Sequence, residues 1–321
     1  MLSRRFLRIK VLQAIYAFIQ DGPESINSGE KQLVVSLDKL YELYIRQLSL
    51  LVEISDFARR RIEENKLKFL PSREDLDPNT RFIDNRFINQ LAANRDFLKK
   101  CESFKISWAD EEEMVRKLYN QLRESKAFVA YMEGPAPSYK KDKDLAEHIF
   151  VNIFAESELL ESFYEERSIY GSDDFEISFI MIQKTIKGFR ADADEYTSLP
   201  TLLKDENDTD GSEDLDFVKK LYRKTLIHSD EFNTIIADKA QNWELDRIAL
   251  MDTILLKMAM TEFVDFPSIP VKVTLNEYIE LAKSFSTPKS KIFINGILDK
   301  LIVEFKANGR LVKTGRGLME D

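Results

Sequence analysis

Residues 242–300 read NWELDRIALMDTILLKMAMTEFVDFPSIPVKVTLNEYIELAKSFSTPKSKIFINGILDK. Three helical patterns follow one another here across short joints marked by proline. In the first, Ile254, Leu255, Leu256, Met258, Ala259, Met260, Phe263 and Val264 cover most of the circumference. A helix apolar nearly all round is surrounded by other helices. In the second, Leu275, Tyr278, Ile279 and Ala282 stand at i, i+3, i+4, i+7 and form one buried stripe. In the third, Ile294, Ile297, Leu298, Leu301 and Ile302 repeat that spacing. Pro270 and Pro288 precede the second and third helices, with Thr287 placed as an N-cap. Gly296, inside the third, predicts a close approach by a neighbouring helix, since glycine there costs about 1 kcal/mol relative to alanine.

Working outward, residues 3–20 form an amphipathic helix with Leu7, Val11, Ala14, Ile15 and Phe18 on one face, Ser3 as N-cap and Asp21-Gly22-Pro23 as the stop. Arg4, Arg5, Arg8 and Lys10 fill its first two turns, and no acid appears before Asp21. Cations there oppose the helix dipole by about 0.3–1 kcal/mol each. A bound phosphate would reverse the penalty, because free N–H groups and guanidinium forks both attract anions. A solvated helix end is the competing reading.

Residues 30–65 carry Leu33, Leu37, Leu40, Tyr44, Leu48, Leu51, Ile54, Ala58 and Ile62 at helical steps. Arg59-Arg60-Arg61 near its end suit a helix C-terminus better than a phosphate site. Residues 66–80 read as a loop, with helices at 82–101, 110–126 and 142–168. A further helix, 174–190, carries Phe175, Phe179, Ile182, Ile186 and Phe189 as core. The segment 205–216, DENDTDGSEDLD, has seven acids and no base and reads as a solvated linker. Helices from Phe217 and at 231–241 follow. The tail after about 305 reads as frayed.

The 321 residues carry a net charge of -9, which excludes a uniformly basic surface but not a local basic patch. Few Gly and Pro beside 22 Phe favour long helices over a turn-rich β fold. One cysteine, Cys101, excludes an internal disulfide and fits a reducing compartment. No apolar run approaches the roughly 20 residues of a bilayer span. The basic start leads into an amphipathic helix and not a signal peptide, so a cytoplasmic protein without membrane partners is expected.

No catalytic, metal or cofactor site emerges. His148 and His228 lack a local ligand set, and no Gly-rich phosphate loop or G-x-S-x-G occurs. Glu277 and Glu280 share a helix face, but nothing nearby in sequence gives a reason for a shifted pKa.

LDRIALMDTILLKMAMTEF, then IPVKVTLNEYIELAKSF, then FINGILDKL resemble the C-terminal half of the NusB family in order and spacing, and RRFLRIK followed by AIY resembles its Arg-rich start. The resemblance covers about residues 1–20 and 215–303. It implies an all-α, NusB-like helical bundle with additional inserted helices. Four segments are expected: 1–204, the Arg-rich helix plus insertion; 205–214, an acidic linker; 215–305, the NusB-like domain; and 306–321, a flexible tail. It implies no enzyme and no cofactor, but a transcription antitermination factor. The implied partners are boxA-like single-stranded RNA of ribosomal RNA transcripts, the ribosomal protein NusE and the RNA polymerase antitermination complex.

By resemblance, the RNA surface comprises Arg4, Arg5, Arg8, Lys10 and Tyr16 with Lys289, Lys291 and Phe293, where cations hold phosphate and rings stack on bases. Lys289 departs from an acid, and Phe6 from a basic residue, found in other members. Ala249 replaces a capping Ser, so Asp252, with a later helix start, is the expected cap. Asp252 and Glu262 interrupt the most apolar helix and are the candidate NusE contacts. An internal ion pair, for example with Arg247 or Lys257, is the competing reading. Two other functions stay open: a helical adaptor without RNA binding, and an RNA-processing enzyme with an unrecognised site.

Overall fold

The computed structural model describes residues 3–22, 25–167, 171–203, 212–240 and 248–318, with backbone only at 171–173 and 176. Trp243, Arg247 and most of the acidic segment lie outside the described residues. Every regular element among the described residues is helical. The chain forms two compact units, one of residues 1–37 with 203–321 and the other of 38–202. The division therefore groups the first helix with the C-terminal helices, where the expected segments join it to the insertion.

In the first unit, α1 (Arg4–Asp21) begins at Ser3, whose side chain makes no cap bond, and stops at Gly22 in the left-handed region. The start of α2 (Ile26–Lys66) follows. Gly29 on α2 is where two helices truly close: a Cβ there would lie 2.0 Å from the buried Tyr222 hydroxyl. Gly296, in contrast, is exposed, and a Cβ added to it would meet nothing within 4 Å, so the close approach expected there is absent. The remaining elements of the unit are α11 (Glu213–Ile227), α12 (Ser229–Lys239), α13 (Leu250–Asp265), α14 (Val271–Phe285) and α15 (Ser290–Ala307). As its all-round apolar pattern requires, α13 is the centre, packed by α1, α11, α12, α14 and α15. Ile254, Leu255, Leu256, Met258, Ala259, Met260 and Phe263 are all fully buried.

Of the segment expected to be a frayed tail, residues 308–318 are docked instead, and 319–321 lie outside the described residues. Leu311 N donates to Phe305 O at 2.9 Å, and Thr314 N to Pro267 O at 3.0 Å. Lys313 Nζ reaches the carbonyls of Glu262 (3.1 Å) and Phe266 (3.0 Å) at the end of α13. Carbonyls at a helix end are not all used by the helix itself, so a lysine finds acceptors there, the Phe266 carbonyl also accepting from Ile269 N at 3.2 Å. Gly317 admits the contact, since a Cβ there would stand 1.9 Å from Pro267 O. This strap, residues 308–318, corrects the expectation of a flexible end.

The second unit holds the rest of α2, α3 (Arg73–Leu76), α4 (Arg86–Ala93), α5 (Arg95–Ser103), α6 (Glu112–Glu124), α7 (Lys126–Glu133), α8 (Tyr139–His148), a π-helical turn at Ile149–Phe154, α9 (Glu158–Glu165) and α10 (Gly171–Gly188). The helix expected over 82–101 is broken at Asn94, whose side chain caps α5 by accepting from Phe97 N at 2.8 Å. The helix expected over 142–168 is likewise divided, with Ser157 accepting from Leu160 N to start α9. Asp142 is a buried hub that takes Arg86 Nε at 2.8 Å and the Tyr131 hydroxyl at 2.7 Å. Ile182, Ile186 and Phe189 of the aromatic stripe are core, as its spacing requires.

Candidate nucleic-acid interface

The three arginines of α1 are already engaged by carboxylates. Arg4 pairs with Glu213 and lies 3.6 Å from Asp214. Arg5 forks onto Glu277, with Nε and Nη2 each at 2.9 Å from a carboxylate oxygen. Arg8 is buried and forks onto Glu262 at 2.6 and 2.9 Å. The penalty that α1 incurs by placing cations at its N-terminus is thus offset by acids on α11, α13 and α14.

Burial alone would lower the Arg8 pKa. The field and hydrogen bonds of Glu262 outweigh that cost and raise it. Glu262 is fully enclosed and also accepts from Tyr278 at 2.8 Å and Thr274 at 3.1 Å, which accounts for four donor contacts on one carboxylate. A buried ion pair is sustained only when its remaining lone pairs are bonded in this way. The arginine hydrogen bond, against burial, holds the Glu277 carboxyl below the usual range, so the expectation that nothing shifts this residue does not stand.

Several expected contact residues are therefore corrected. Arg8 (2 % exposed), Lys10 (1 %) and Phe293 (5 %) point into the bundle, so neither their charges nor the ring can meet a ligand in this structure. Their helical positions fall on the apolar face, and one face cannot serve both core and ligand. Arg4, Arg5 and Tyr16 stay accessible, with 35 % and 45 % of the arginine side chains and 40 % of the tyrosine exposed. Lys289 and Lys291 are exposed, and Ile292 beside them is 66 % exposed.

Asp252 and Glu262 are not surface contacts either. Glu262 is the Arg8 partner described above, a pairing that differs from both ion pairs suggested by the sequence. Asp252 is 5 % exposed and accepts from the hydroxyls of Ser286 and Ser290, the latter at 2.7 Å. It does not cap its own helix, which begins at Leu250 with no side-chain cap. It instead fixes the α14–α15 joint, where Thr287 Oγ1 meets Ser290 Oγ at 2.8 Å and the N-cap position is Lys289. Lys257, the other suggested partner, bonds Ser229 Oγ at 2.7 Å. The two accessible cation groups are thus anchored at opposite ends of α13. Arg5 lies beside the Arg8–Glu262 pair and Lys289 beside Ser290 and Asp252, and the ten residues from Asp252 to Glu262 span about 15 Å.

Among the described residues no group of His, Cys, Asp and Glu is placed to hold a metal ion, and no helix is long and apolar enough to cross a membrane. Fold and site define an all-helical bundle protein carrying accessible cations at the start of its first helix and at the start of its last.

A family model described as the NusB family matches residues 177–303, beginning within α10 and so further upstream than the resemblance read from the sequence. A transcription antitermination protein NusB of Salinibacter ruber is 43% identical over 130 residues, 40% of this chain and 81% of that protein. Proteins of the same name from Chloroherpeton thalassium and Geobacter sulfurreducens are 43% identical over 105 residues (33% of this chain, 50% of that protein) and 40% identical over 109 (34% and 79%). No solved structure matches the chain. The chain belongs to the NusB family.

Proposed function

We propose that this protein is a transcription antitermination factor that binds boxA-like single-stranded RNA of ribosomal RNA transcripts together with NusE, as part of the RNA polymerase antitermination complex. The observation that carries the reading is the likeness to relatives named transcription antitermination protein, beside a family match at 177–303 that includes Lys289 and Lys291. Arg4, Arg5 and Tyr16 supply the second part of the surface. Its action is assembly and not chemistry: guanidinium and ammonium groups hold phosphate, and Tyr16 offers a face to a base. NusE docks through residues other than Asp252 and Glu262, which are taken up inside the bundle.

One observation favours the adaptor reading. Arg4 and Arg5 must share their forks between phosphate and Glu213, Asp214 and Glu277. Fluorescence anisotropy with boxA-like RNA, with and without NusE, separates the two. The RNA reading requires affinity that falls with salt as counterions are released. It also requires Arg4→Gln with Arg5→Gln to weaken binding with little change in melting, because exposed ion pairs contribute only about 0–1 kcal/mol. No RNA binding, or only a residual signal that ignores both salt and the double substitution, leaves the adaptor.

A further inference from the structure

The strap forms one side of a groove. It lies between α14, α15 and residues 311–318, with a volume of about 690 Å³. That is within the range of about 300–1,000 Å³ typical of small-molecule sites. Leu275, Ile302, Leu311 and Leu318 give it aliphatic walls, and among the described residues no aromatic ring lines it. Lysines 272, 306 and 313 also line it, and among the described residues no carboxylate does, in a chain whose net charge is -9. Neither Lys306 nor Lys313 is in an ion pair with a described carboxylate. Lys313 gives two of its three N–H groups to the carbonyls of Glu262 and Phe266, which leaves one donor.

We propose that this groove binds an aliphatic carboxylate, with the chain against Leu275, Ile302 and Leu318 and the head group on Lys306 and Lys313. Aliphatic walls without a ring select a hydrocarbon chain over a nucleobase or an aromatic acid. Lys306 and Lys313, neither paired with a described carboxylate, select an anionic head. One remaining donor on Lys313 with the exposed ammonium of Lys306 matches the two oxygens of a carboxylate. The alternative that the walls are ordinary apolar surface is weakened by Val312 and Leu318, 59 % and 66 % exposed on one short strap, since adjoining exposed apolar groups mark binding surfaces. Residues 311–318 lie beyond the family match at 177–303, so this part of the groove is not accounted for by the family resemblance.

The test is calorimetric titration of the full chain with dodecanoate below its micelle concentration, with dodecanol and dodecyltrimethylammonium as neutral and cationic controls of equal chain length. Saturable binding of one dodecanoate is expected, with neither control competing. Lys306→Glu, at an exposed position, should weaken it at least about tenfold, roughly 1.4 kcal/mol. Leu318→Asp, also exposed, should do likewise through the chain end, and both variants should melt as the parent does. Absence of saturable dodecanoate binding, equal binding of dodecanol, or unchanged affinity in both variants overturns the proposal.

Discussion

Removing Arg8 tests whether this arginine is a strut of the bundle or a ligand contact. In Arg8→Met the Glu262 carboxylate loses two guanidinium bonds of 2.6 and 2.9 Å but keeps the Tyr278 and Thr274 hydroxyls. Breaking a buried pair from one side costs about 3–5 kcal/mol, and the two retained donors place this variant near the lower end. Glu262→Leu strands more: a buried guanidinium whose next carboxylate, Glu277, is 3.8 Å away, together with two hydroxyls. It belongs at the upper end of that range. The double substitution removes both charges and leaves only the hydroxyls, at about 1 kcal/mol each, with the Met and Leu chains filling the space.

The expected order of loss is therefore Glu262→Leu, then Arg8→Met, with the double variant far better than the sum of the two. Urea unfolding followed by far-UV circular dichroism measures this, fitted with two transitions because the chain forms two compact units. Arg8→Met within about 0.5 kcal/mol of the parent, the range of ordinary surface changes, would refute the buried pair. So would losses that simply add. The same geometry makes Arg8→Glu a poor probe of RNA binding, since a second buried carboxylate beside Glu262 unfolds the unit before any contact is tested.

Asp252→Lys should lower the melting temperature by removing the acceptor of Ser286 and Ser290 and burying a cation, at a cost above about 2 kcal/mol; an unchanged melt would place Asp252 at the surface. Gly29→Ala should cost about 1–3 kcal/mol by driving a methyl into Tyr222, whereas Gly296→Ala should stabilise by up to about 1 kcal/mol; urea midpoints moving in the same direction would contradict the two environments. Glu277→Gln should lower stability by about 1 kcal/mol or less at neutral pH, given the half-exposed Arg5 partner. Because the folded-state pKa of Glu277 is depressed, that deficit is present above the ordinary value of 4.5 and vanishes as pH falls through the folded one, so a deficit in melting temperature that does not shrink as pH is lowered from neutral through the acid range would count against the pair.

The bundle is legible in the sequence because its signals are periodic. The apolar girth of α13 and the stripes of α14 and α15 specify packing by spacing alone, and the structure buries most of those residues. Helix breaks in the insertion are less visible. Asn94 ends one helix and starts another, and Ser157 starts α9, within patterns that read as continuous, because a cap is a single polar residue whose effect depends on local backbone shape. The docked strap is invisible for another reason. Gly317 and Lys313 look like a polar tail until Pro267 and the end of α13 are brought beside them. The basic cluster of α1 can be seen in the sequence, but not its partners. Glu213, Glu262 and Glu277 stand more than 200 positions away from the arginines they hold.

The polar residues of α13 explain how so apolar a helix acquires fixed neighbours. Apolar packing is non-directional, and a helix buried all round could rotate or slide among five others at little cost. Asp252 bonds Ser286 and Ser290 at the α14–α15 joint. Lys257 bonds Ser229 at the start of α12. Thr261 lies 3.1 Å from Thr225 on α11. Glu262 takes Arg8 of α1 and Tyr278 of α14, and its carbonyl takes Lys313 of the strap. Each of these bonds forms only in one register, and a slip would leave a buried charge or hydroxyl without a partner at a cost of several kcal/mol for the charges. The same four residues thus set where the exposed cations stand: Glu262 fixes the helix that carries Arg4 and Arg5, and Asp252 fixes the turn that carries Lys289 and Lys291. The spacing of the two cation groups is consequently a property of α13, and a substitution at Asp252 or Glu262 that leaves the chain folded should alter RNA affinity without either residue touching RNA.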